Sequence, residues 1–320
     1  MRRIFRLTGA IVSILSIIAY IYILHGAFLL DEFRNHLSGH FGISFLIASI
    51  LYGFTIPAGA FGWKYLLSGM GIESTLYKLS AIALVTQLGK YVPGNIGQLV
   101  GRTAMTMKIG LPPAGVVASI AYETALLLLV GVLFGFGAAS LSGYQFGHLI
   151  ESRIDIIGFA VAALIVAVAV IGVVVKIVLR LDLSKFTYLR GAYSYSFRPS
   201  KNSIVVAVAM YGLSYLTVGA SAMTVASAIY PQIDTHLLQF VSAMSIAWIA
   251  GFVTPGAPAG IGIREILLTL MMGPSIGMHD ASVFALIFRM VTISSDILCF
   301  VTGVLMMTSG RFSMTASGDQ

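Results

Sequence analysis

The chain has 320 residues, of which 58% are hydrophobic and only 10% are charged. Soluble domains usually carry about 25% charged residues, so this composition excludes an ordinary soluble protein. The net charge of +7 must be interpreted loop by loop, and we expect no nucleic acid to bind. Because backbone groups that face lipid must form hydrogen bonds within their own segment, the expected fold class is an all-α polytopic membrane protein.

Blocks of about 20 apolar residues, the length that crosses a hydrocarbon core of about 30 Å, predict the spanning helices. Six such blocks are found, at about 8–30, 41–60, 112–140, 156–178, 204–229 and 281–308. The first follows a basic start, Arg2, Arg3 and Arg6, as a signal peptide would, but it is too long and lacks a small-residue cleavage site. We therefore interpret it as a retained first helix of a single membrane domain covering residues 1–320.

Two further apolar blocks, 79–109 and 237–273, are interrupted at their centres by turn-forming residues. These residues are Pro93, Gly94 and Gly97 in the first block and Pro255, Gly256, Pro258, Gly260 and Gly262 in the second. Each interruption leaves two arms that are too short to cross a membrane comfortably at about 1.5 Å per residue. Because irregular backbone at membrane depth is tolerated only inside protein or beside a wet cavity, we expect two re-entrant half-helix hairpins at the centre of the fold.

The basic residues between the apolar blocks predict the orientation of the chain. With both termini in the cytoplasm and each hairpin returning to its own side, only Arg34 and Arg153 of the loop arginines and lysines lie outside, as the positive-inside rule requires. The loops then divide between the two sides of a cell (inner) membrane, with 61–78 and 179–203 cytoplasmic and 31–40, 141–155 and 230–236 outside. The segment 179–203 is interpreted as a basic cytoplasmic linker, with a lipid-headgroup site as the alternative. Treating the broken blocks as full double crossings would give the same orientation.

An internal repeat emerges when the first interruption, Pro93–Gly97, is laid on Pro258–Gly262, a shift of 165 residues. The spans that flank each interruption then coincide, so residues 41–140 form a first repeat and 204–308 a second. In the predicted orientation the two repeats cross the membrane in opposite directions. Inverted repeats with broken helices at the midplane are typical of alternating-access carriers, and we expect the interruptions to meet near the middle of the membrane.

Ionisable side chains inside a membrane cost about 2.5 kcal/mol or more and are therefore candidates for function. The candidate substrate-binding residues cluster around the interruptions and in the spans that follow: Asn95, Gln98, Arg102, Glu123, Arg264, Glu265 and Arg289. Arginine binds phosphate through two parallel hydrogen bonds, and a helix that restarts after a break presents free N–H groups to an anion. The central members of this set are expected to line one buried, positively charged cavity: Arg102, Glu123, Arg264 and Arg289.

Each of these residues also has a structural interpretation. Arg102 could extend toward the cytoplasm. Glu123 could pair with Arg289 or Arg264 only to hold the helices together. Asp296 lies seven residues after Arg289, on the same helix face, where it could be a structural counter-ion. The two acids, Glu123 and Asp296, are also candidates for coupling transport to an ion.

Signals for catalysis or a metal are weak. The six histidines lie near span ends or in outer loops, without the i, i+4 spacing of a helical zinc site. The single cysteine, Cys299, lies in an apolar run and offers no metal cluster or disulfide. A nucleophile elbow, a P-loop and a dinucleotide fingerprint are all missing from the sequence. We therefore expect no enzyme activity, no metal and no cofactor.

At the two interruptions the sequence resembles the lysylphosphatidylglycerol synthase transmembrane-region family, a flippase-like module. The resemblance covers about residues 10–308 and rests on Leu88–Gln98, Arg102, Glu123 and Pro255–Glu265. It implies a stand-alone member without the cytosolic synthase domain, so aminoacyl transfer is not expected. In two-domain members the module is thought to move an aminoacylated phospholipid, and other members occur with polyprenyl-linked glycans or hopanoids. Ala257 and Ala259 stand where glycine is common in the family, which implies an altered second turn.

The leading hypothesis is a lipid translocase that moves a phosphate-bearing phospholipid or polyprenyl-linked lipid through the central polar cavity. The first alternative is a secondary transporter of a small anion, which the same repeat and half-helix ends would serve. The second is a non-transporting membrane partner of a lipid- or glycan-modifying enzyme. A membrane lipid is thus the expected substrate, with a homo-oligomer and a lipid- or glycan-synthesising enzyme as further candidate partners.

Overall fold

The computed structural model describes residues 39–91, 96–141, 196–232, 236–254 and 258–309. Within these ranges the chain is helical and contains no strand, as the composition predicts. Long helices alternate with pairs of short ones: α1 (Gly39–Gly69), α2 (Leu76–Thr86), α3 (Ile96–Lys108), α4 (Pro113–Leu141), α5 (Lys201–Ile229), α6 (Leu237–Val253), α7 (Ile263–Ile276) and α8 (Met278–Thr308). Short 3₁₀ helices, Gln87–Tyr91 and Pro258–Gly260, follow α2 and α6.

Among the described residues, four helices are long and apolar enough to cross a membrane: α1, α4, α5 and α8. They coincide with four of the predicted spans, 41–60, 112–140, 204–229 and 281–308. The other two predicted spans, 8–30 and 156–178, lie outside the described residues, as does most of the linker 179–203. Helix α1 continues beyond its predicted end, so the predicted loop 61–78 shortens to the connection between Gly69 and Leu76.

Capping residues determine where several of these helices begin. Thr75 caps α2 by accepting a hydrogen bond from the N–H of Lys78 at 3.3 Å. Ser200 caps α5 in the same way, through the N–H of Ser203. Helix α4 begins at Pro113, a residue type that is favoured in the first turn because no N–H is needed there.

Contacts between helix termini show which termini lie together at each end of the bundle. At the first end, the N–H that precedes α5 donates to the last carbonyl of α1, and Tyr77 Oη in α2 donates to the carbonyl of Met306 in α8 at 2.8 Å. At the opposite end, Tyr230 Oη donates to the carbonyl of Asp280 at 3.1 Å, which joins the end of α5 to the start of α8. The end of α1 and the starts of α2 and α5 therefore lie beside the end of α8.

The two pairs of short helices belong to opposite ends of the bundle. Helices α2 and α3 pack together, and the start of α2 and the residues after α3 share a buried cluster with Met70 and Ile72 at the first end. Helices α6 and α7 also pack together, and Gln239 near the start of α6 donates to Ser275 near the end of α7 at the opposite end. Each pair thus begins and ends on one side of the bundle.

The two halves of the described chain, α1–α4 and α5–α8, pack against each other through equivalent helices. Helices α1 and α5 pack against each other along much of their length, α4 packs on α6, and α8 packs on α2. Each half therefore places its last long helix against the first short helix of the other half. This packing brings the two interruptions together at the centre: the first break, after α2, and the second break, after α6. There Gln87–Tyr91 contacts Pro258–Gly260. The residue expected at the first tip, Asn95, lies outside the described residues.

Candidate functional site

The first buried ion pair joins α3 to α4. Arg102 Nη1 donates to Glu123 Oε1 at 3.1 Å, and Nη2 lies 2.9 Å from Oε2. The guanidinium also stacks on Trp63, with its central carbon 3.9 Å from the ring centroid. Trp63 is itself fixed, because its Nε1 donates to Ser119 Oγ at 2.8 Å. Arg102 is therefore held inside the protein and does not extend toward the bundle surface.

The second buried ion pair joins α7 to α8. Glu265 Oε1 lies 3.5 Å from Arg289 Nη1, and Oε2 accepts a hydrogen bond from the N–H of Gly262 at 2.6 Å. Arg289 Nη1 also donates to the carbonyl of Ala259 at 3.4 Å. In each half, an ion pair thus connects the helix after the break to the following long helix. The positions of the acid and the base are exchanged between the halves: the arginine is on the short helix in the first half and on the long helix in the second.

A third ion pair connects the two halves at the first break. Asp296 on α8 is fully buried, and its Oδ1 accepts a hydrogen bond from Lys90 Nζ at 2.7 Å. Its Oδ2 accepts a hydrogen bond from Tyr91 Oη at 2.6 Å. Asp296 is therefore the counter-ion of Lys90 and not of Arg289, because the 3₁₀ helix after α2 brings Lys90 to the carboxylate.

The second break turns through left-handed backbone. Ala259, Gly260 and Gly262 have φ angles of 52°, 70° and 86°, and Ala259 is the one non-glycine residue with a positive φ in the described ranges. Gly260 is also required by space, because a Cβ there would lie 2.9 Å from the Cα of Gly251. The alanine does not prevent the left-handed turn, although this conformation costs a residue with a Cβ about 1–2 kcal/mol.

A cavity of about 490 Å³ lies between the two halves. Its charged and amide side chains are Gln87, Lys90, Gln98, Arg102, Glu123 and Arg264. Gln98 Nε2 donates to Gln87 Oε1 at 2.9 Å, which links α3 to the 3₁₀ helix before it. Most of the remaining wall is aliphatic or aromatic, including Leu99, Trp248 and Phe252. The cavity is therefore amphipathic.

Several buried donors on the cavity wall have no hydrogen-bond partner among the described residues. They are the Nε atoms of Arg102 and Arg264 and the hydroxyl of Tyr211. A buried donor without a partner is unfavourable, by about 1–3 kcal/mol. These groups therefore have hydrogen-bonding capacity that the described part of the fold does not use.

The predicted substrate-binding residues do not all lie on this cavity. Gln98, Arg102, Glu123 and Arg264 line it. Glu265 and Arg289 lie beside it, at a separate pocket of about 30 Å³, because the carbonyl of Ala259 and their mutual contact hold them at the second break. Glu123 pairs with Arg102 and with neither of the two arginines considered from sequence.

The predicted turn residues are described only in part. Gly97 lies in the first turn of α3, Pro258 begins the second 3₁₀ helix, and Gly260 and Gly262 follow it. The remaining members of the predicted set lie outside the described residues: Pro93, Gly94, Pro255 and Gly256. Over the described ranges, no three His, Cys, Asp or Glu side chains are grouped as they would be around a metal ion.

Several residues that complete this region had no predicted site role: Trp63, Lys90, Tyr91, Tyr211 and Trp248. Four of them are aromatic residues with a polar atom. When such a residue lies within an apolar helix, its N–H or O–H needs a buried partner, and that requirement is the signal that could have identified them. The role of Lys90 was not predictable in this way, because it depends on a contact with Asp296 from the other half.

Comparison with known proteins places this chain in a family. The family model of the lysylphosphatidylglycerol synthase TM region matches residues 8–298. The chain therefore belongs to this family, and it is a multi-pass membrane protein of a group related to lipid metabolism. Among curated proteins, none matches the chain.

Proposed function

We propose that this chain is a lipid translocase that moves a phosphate-bearing phospholipid or polyprenyl-linked lipid across a cell (inner) membrane. The observation that supports this function best is the amphipathic cavity. A headgroup that leaves water needs hydrogen bonds and compensating charge, because burying it unpaired is strongly unfavourable. The adjoining tails need apolar contact instead. The cavity wall combines cations and amides with aliphatic and aromatic side chains.

The proposal includes two re-entrant hairpins within an inverted repeat. The short helices contain 11, 13, 17 and 14 residues, which corresponds to about 16–26 Å each. A hydrocarbon core is about 30 Å thick. One pair begins and ends on one side of the bundle, and the other pair begins and ends on the opposite side. The first short helix of each pair packs against a long helix of the other half. These features support hairpins that enter from opposite sides, and a cavity between such halves can open to each side in turn.

Within this mechanism the ion pairs have different tasks. The pair Glu265–Arg289 holds the second break, and the contact of Asp296 with Lys90 holds the first. Glu123 and Asp296 are the acids that we propose for coupling to an ion. Each is bound to a cation in this conformation, so coupling requires the cation to be released as the halves move.

The first prediction tests whether lipid passes through the cavity. Gly59 in α1 lines it, and no atom lies within 4 Å of a Cβ built at this position. We expect Gly59→Leu to fill part of the cavity and to slow lipid movement about tenfold, which corresponds to about 1.4 kcal/mol of added barrier, because the new side chain takes space that the lipid would occupy. The rate is measured by the protection of tail-labelled lipids from a membrane-impermeant quencher in vesicles that contain the full chain.

Gly137→Leu is the matched control. Gly137 also lies in a long helix with no atom within 4 Å of its Cβ position, but it does not line the cavity. This variant should move lipid at the wild-type rate, and neither variant should unfold below the wild-type temperature, because leucine favours a helix more than glycine does. If Gly59→Leu folds normally and is as fast as the control, lipid does not pass through this cavity.

A secondary transporter of a small anion is the second candidate, because Arg264 faces the cavity without a partner among the described residues. Uptake of inorganic phosphate or glycerol phosphate by the same vesicles, without lipid movement, would establish that function. We propose no catalytic step for this chain. A homo-oligomer and a lipid- or glycan-synthesising enzyme remain the partners that we propose for it, and a scaffold without transport would move neither lipid nor anion.

A further inference from the structure

Four cations lie at or beside the cavity, and three of them contact an acid. The pairs are Lys90–Asp296 at 2.7 Å, Arg102–Glu123 at 2.9 Å and Arg289–Glu265 at 3.5 Å. Arg264 is the fourth cation, and within the described ranges it forms neither an ion pair nor a hydrogen bond. Since each pair is formally neutral, the surplus positive charge at the cavity belongs to Arg264.

Two glycines make room for the Arg264 side chain. A Cβ at Gly251 would lie 2.7 Å from Cγ and Nε of Arg264, and a Cβ at Gly260 would lie 2.7 Å from Nε. The side chain thus occupies a groove between α6 and the second break, with its central carbon 5.7 Å from the centroid of Trp248. A guanidinium is a rigid, planar fork that can bind two phosphate oxygens through parallel hydrogen bonds.

We propose that Arg264 binds the headgroup phosphate and that the cavity selects net-anionic headgroups over aminoacylated ones, an inference that rests on the proposed function. A lysyl ester adds two ammonium groups to one phosphate, so that headgroup carries a net positive charge. Such a headgroup would need a free carboxylate in the cavity to compensate the charge of its ammonium groups. Glu123, the acid among the described residues of the cavity wall, is already bound by two nitrogens of Arg102.

Removing Glu123 from Arg102 would leave a buried guanidinium without a counter-ion, which is strongly unfavourable. Aromatic rings can also attract ammonium groups. Of the five rings that line this cavity, two already lie beside cations: Trp248 beside Arg264, and Tyr52 at 5.8 Å from Lys90 Nζ. A further cation at these rings would meet like charge. The described wall therefore favours an anion over an ammonium group.

The test compares tail-labelled lipids that differ only in headgroup, in vesicles containing the full chain: phosphatidylglycerol, phosphatidylcholine and lysylphosphatidylglycerol. We expect phosphatidylglycerol to cross about tenfold faster than lysylphosphatidylglycerol. Arg264→Gln should slow phosphatidylglycerol about tenfold and reduce this ratio to about one, whereas Arg264→Lys should retain part of the preference. Arg198→Gln removes the same charge from an exposed position and should change neither rate.

The outcomes separate this inference from the proposed function. If wild type moves all three lipids equally, or prefers lysylphosphatidylglycerol, the selectivity is overturned and the translocase stands. If it moves none, the proposed function fails. If Arg264→Gln folds and keeps both the rate and the preference, Arg264 is not the phosphate ligand. Should that variant not fold, the wild-type comparison and Arg264→Lys decide.

A binding measurement tests the same inference without transport. In detergent, short-chain phosphatidylglycerol should raise the unfolding temperature of the full chain more than short-chain lysylphosphatidylglycerol does, because a ligand stabilises the folded state that binds it. Equal shifts from the two lipids would contradict the selectivity. An equal shift from glycerol phosphate, which has no tails, would assign the site to a free anion and not to a lipid headgroup.

Discussion

The second break places an alanine where the backbone geometry favours glycine. Ala259 combines a left-handed backbone with a buried side chain, and its carbonyl accepts a hydrogen bond from Arg289. A Cβ in this conformation lies too close to the following carbonyl, which costs about 1–2 kcal/mol. The residue therefore carries local strain at the point where the second break meets the ion pair between α7 and α8.

The second prediction concerns this strain. Ala259→Gly should stabilise the protein by up to about 0.8 kcal/mol, because the relief of about 1–2 kcal/mol is partly offset by about 0.4–1 kcal/mol for the more flexible unfolded chain and about 0.8 kcal/mol for the lost buried methyl group. Thermal unfolding in detergent measures the change. Ala104→Gly, at an exposed position within α3, is the control and should destabilise by about 0.5–1 kcal/mol. Equal destabilisation by both substitutions would show that Ala259 is not strained.

At the scale of elements, α8 contacts both breaks. Arg289 reaches the second break through Ala259 and Glu265, while Asp296 reaches the first through Lys90. The two side chains are seven residues apart and thus lie on one face of the helix. Helix α8 therefore fixes the position of the two breaks relative to each other, and any movement between the halves must change at least one of these contacts.

The third prediction is that Lys90 and Asp296 stabilise the fold as a unit. Asp296→Asn should destabilise by about 3–5 kcal/mol, because the Lys90 side chain is 13% exposed and would keep a buried charge without a counter-ion. The double variant with Lys90→Gln should recover much of this loss, and a double-mutant cycle on unfolding temperatures measures the coupling. Asp280→Asn, in the first turn of the same helix, is the control, with an expected effect of about 0.3–1 kcal/mol. Additive effects of the two substitutions would refute a shared interaction.

At the scale of the whole molecule, the described helix ends divide into two groups. The arginines and lysines of the loops predict which group faces the cytoplasm. The segment before α5, the connection between α1 and α2, and the end of α8 lie together. These are also the regions to which the positive-inside rule assigns the cytoplasm. Tyr230, directly after α5, lies at the opposite end, beside the start of α8.

The fourth prediction fixes the absolute orientation. In a Cys299→Ala background, single cysteines at Lys185, in the predicted linker, and at Gln145, in a predicted outer loop, should react with an impermeant reagent from opposite sides. We expect Lys185→Cys to be labelled only after the membrane is opened, and Gln145→Cys to be labelled in intact cells. Glu73→Cys, between α1 and α2, is a control that should behave as Lys185→Cys does. Labelling of both test positions from one side would contradict the inverted arrangement.

The described part of the fold was largely predictable, because it depends on local properties of the chain. A long apolar run specifies a spanning helix without reference to its neighbours, and four predicted spans are found as helices. The interruptions before Ile96 and at Gly260 were visible for the same reason, since clustered proline and glycine residues disfavour a continuous helix, although α1 does continue through Pro57 and Gly59. The family followed from the motifs at these interruptions, and the family model confirms it.

The sequence by itself thus determined a helical membrane protein, its family, the positions of its breaks and the clustering of ionisable residues near them. Only the tertiary structure decided how those residues pair: Arg102 with Glu123, Lys90 with Asp296, and Arg289 with Glu265 beside the cavity. It also left Arg264 without an acid among the described residues. Hydropathy and helix breaks are read along a single segment, whereas an ion pair forms only where packing brings two side chains from different helices within a few ångströms of each other.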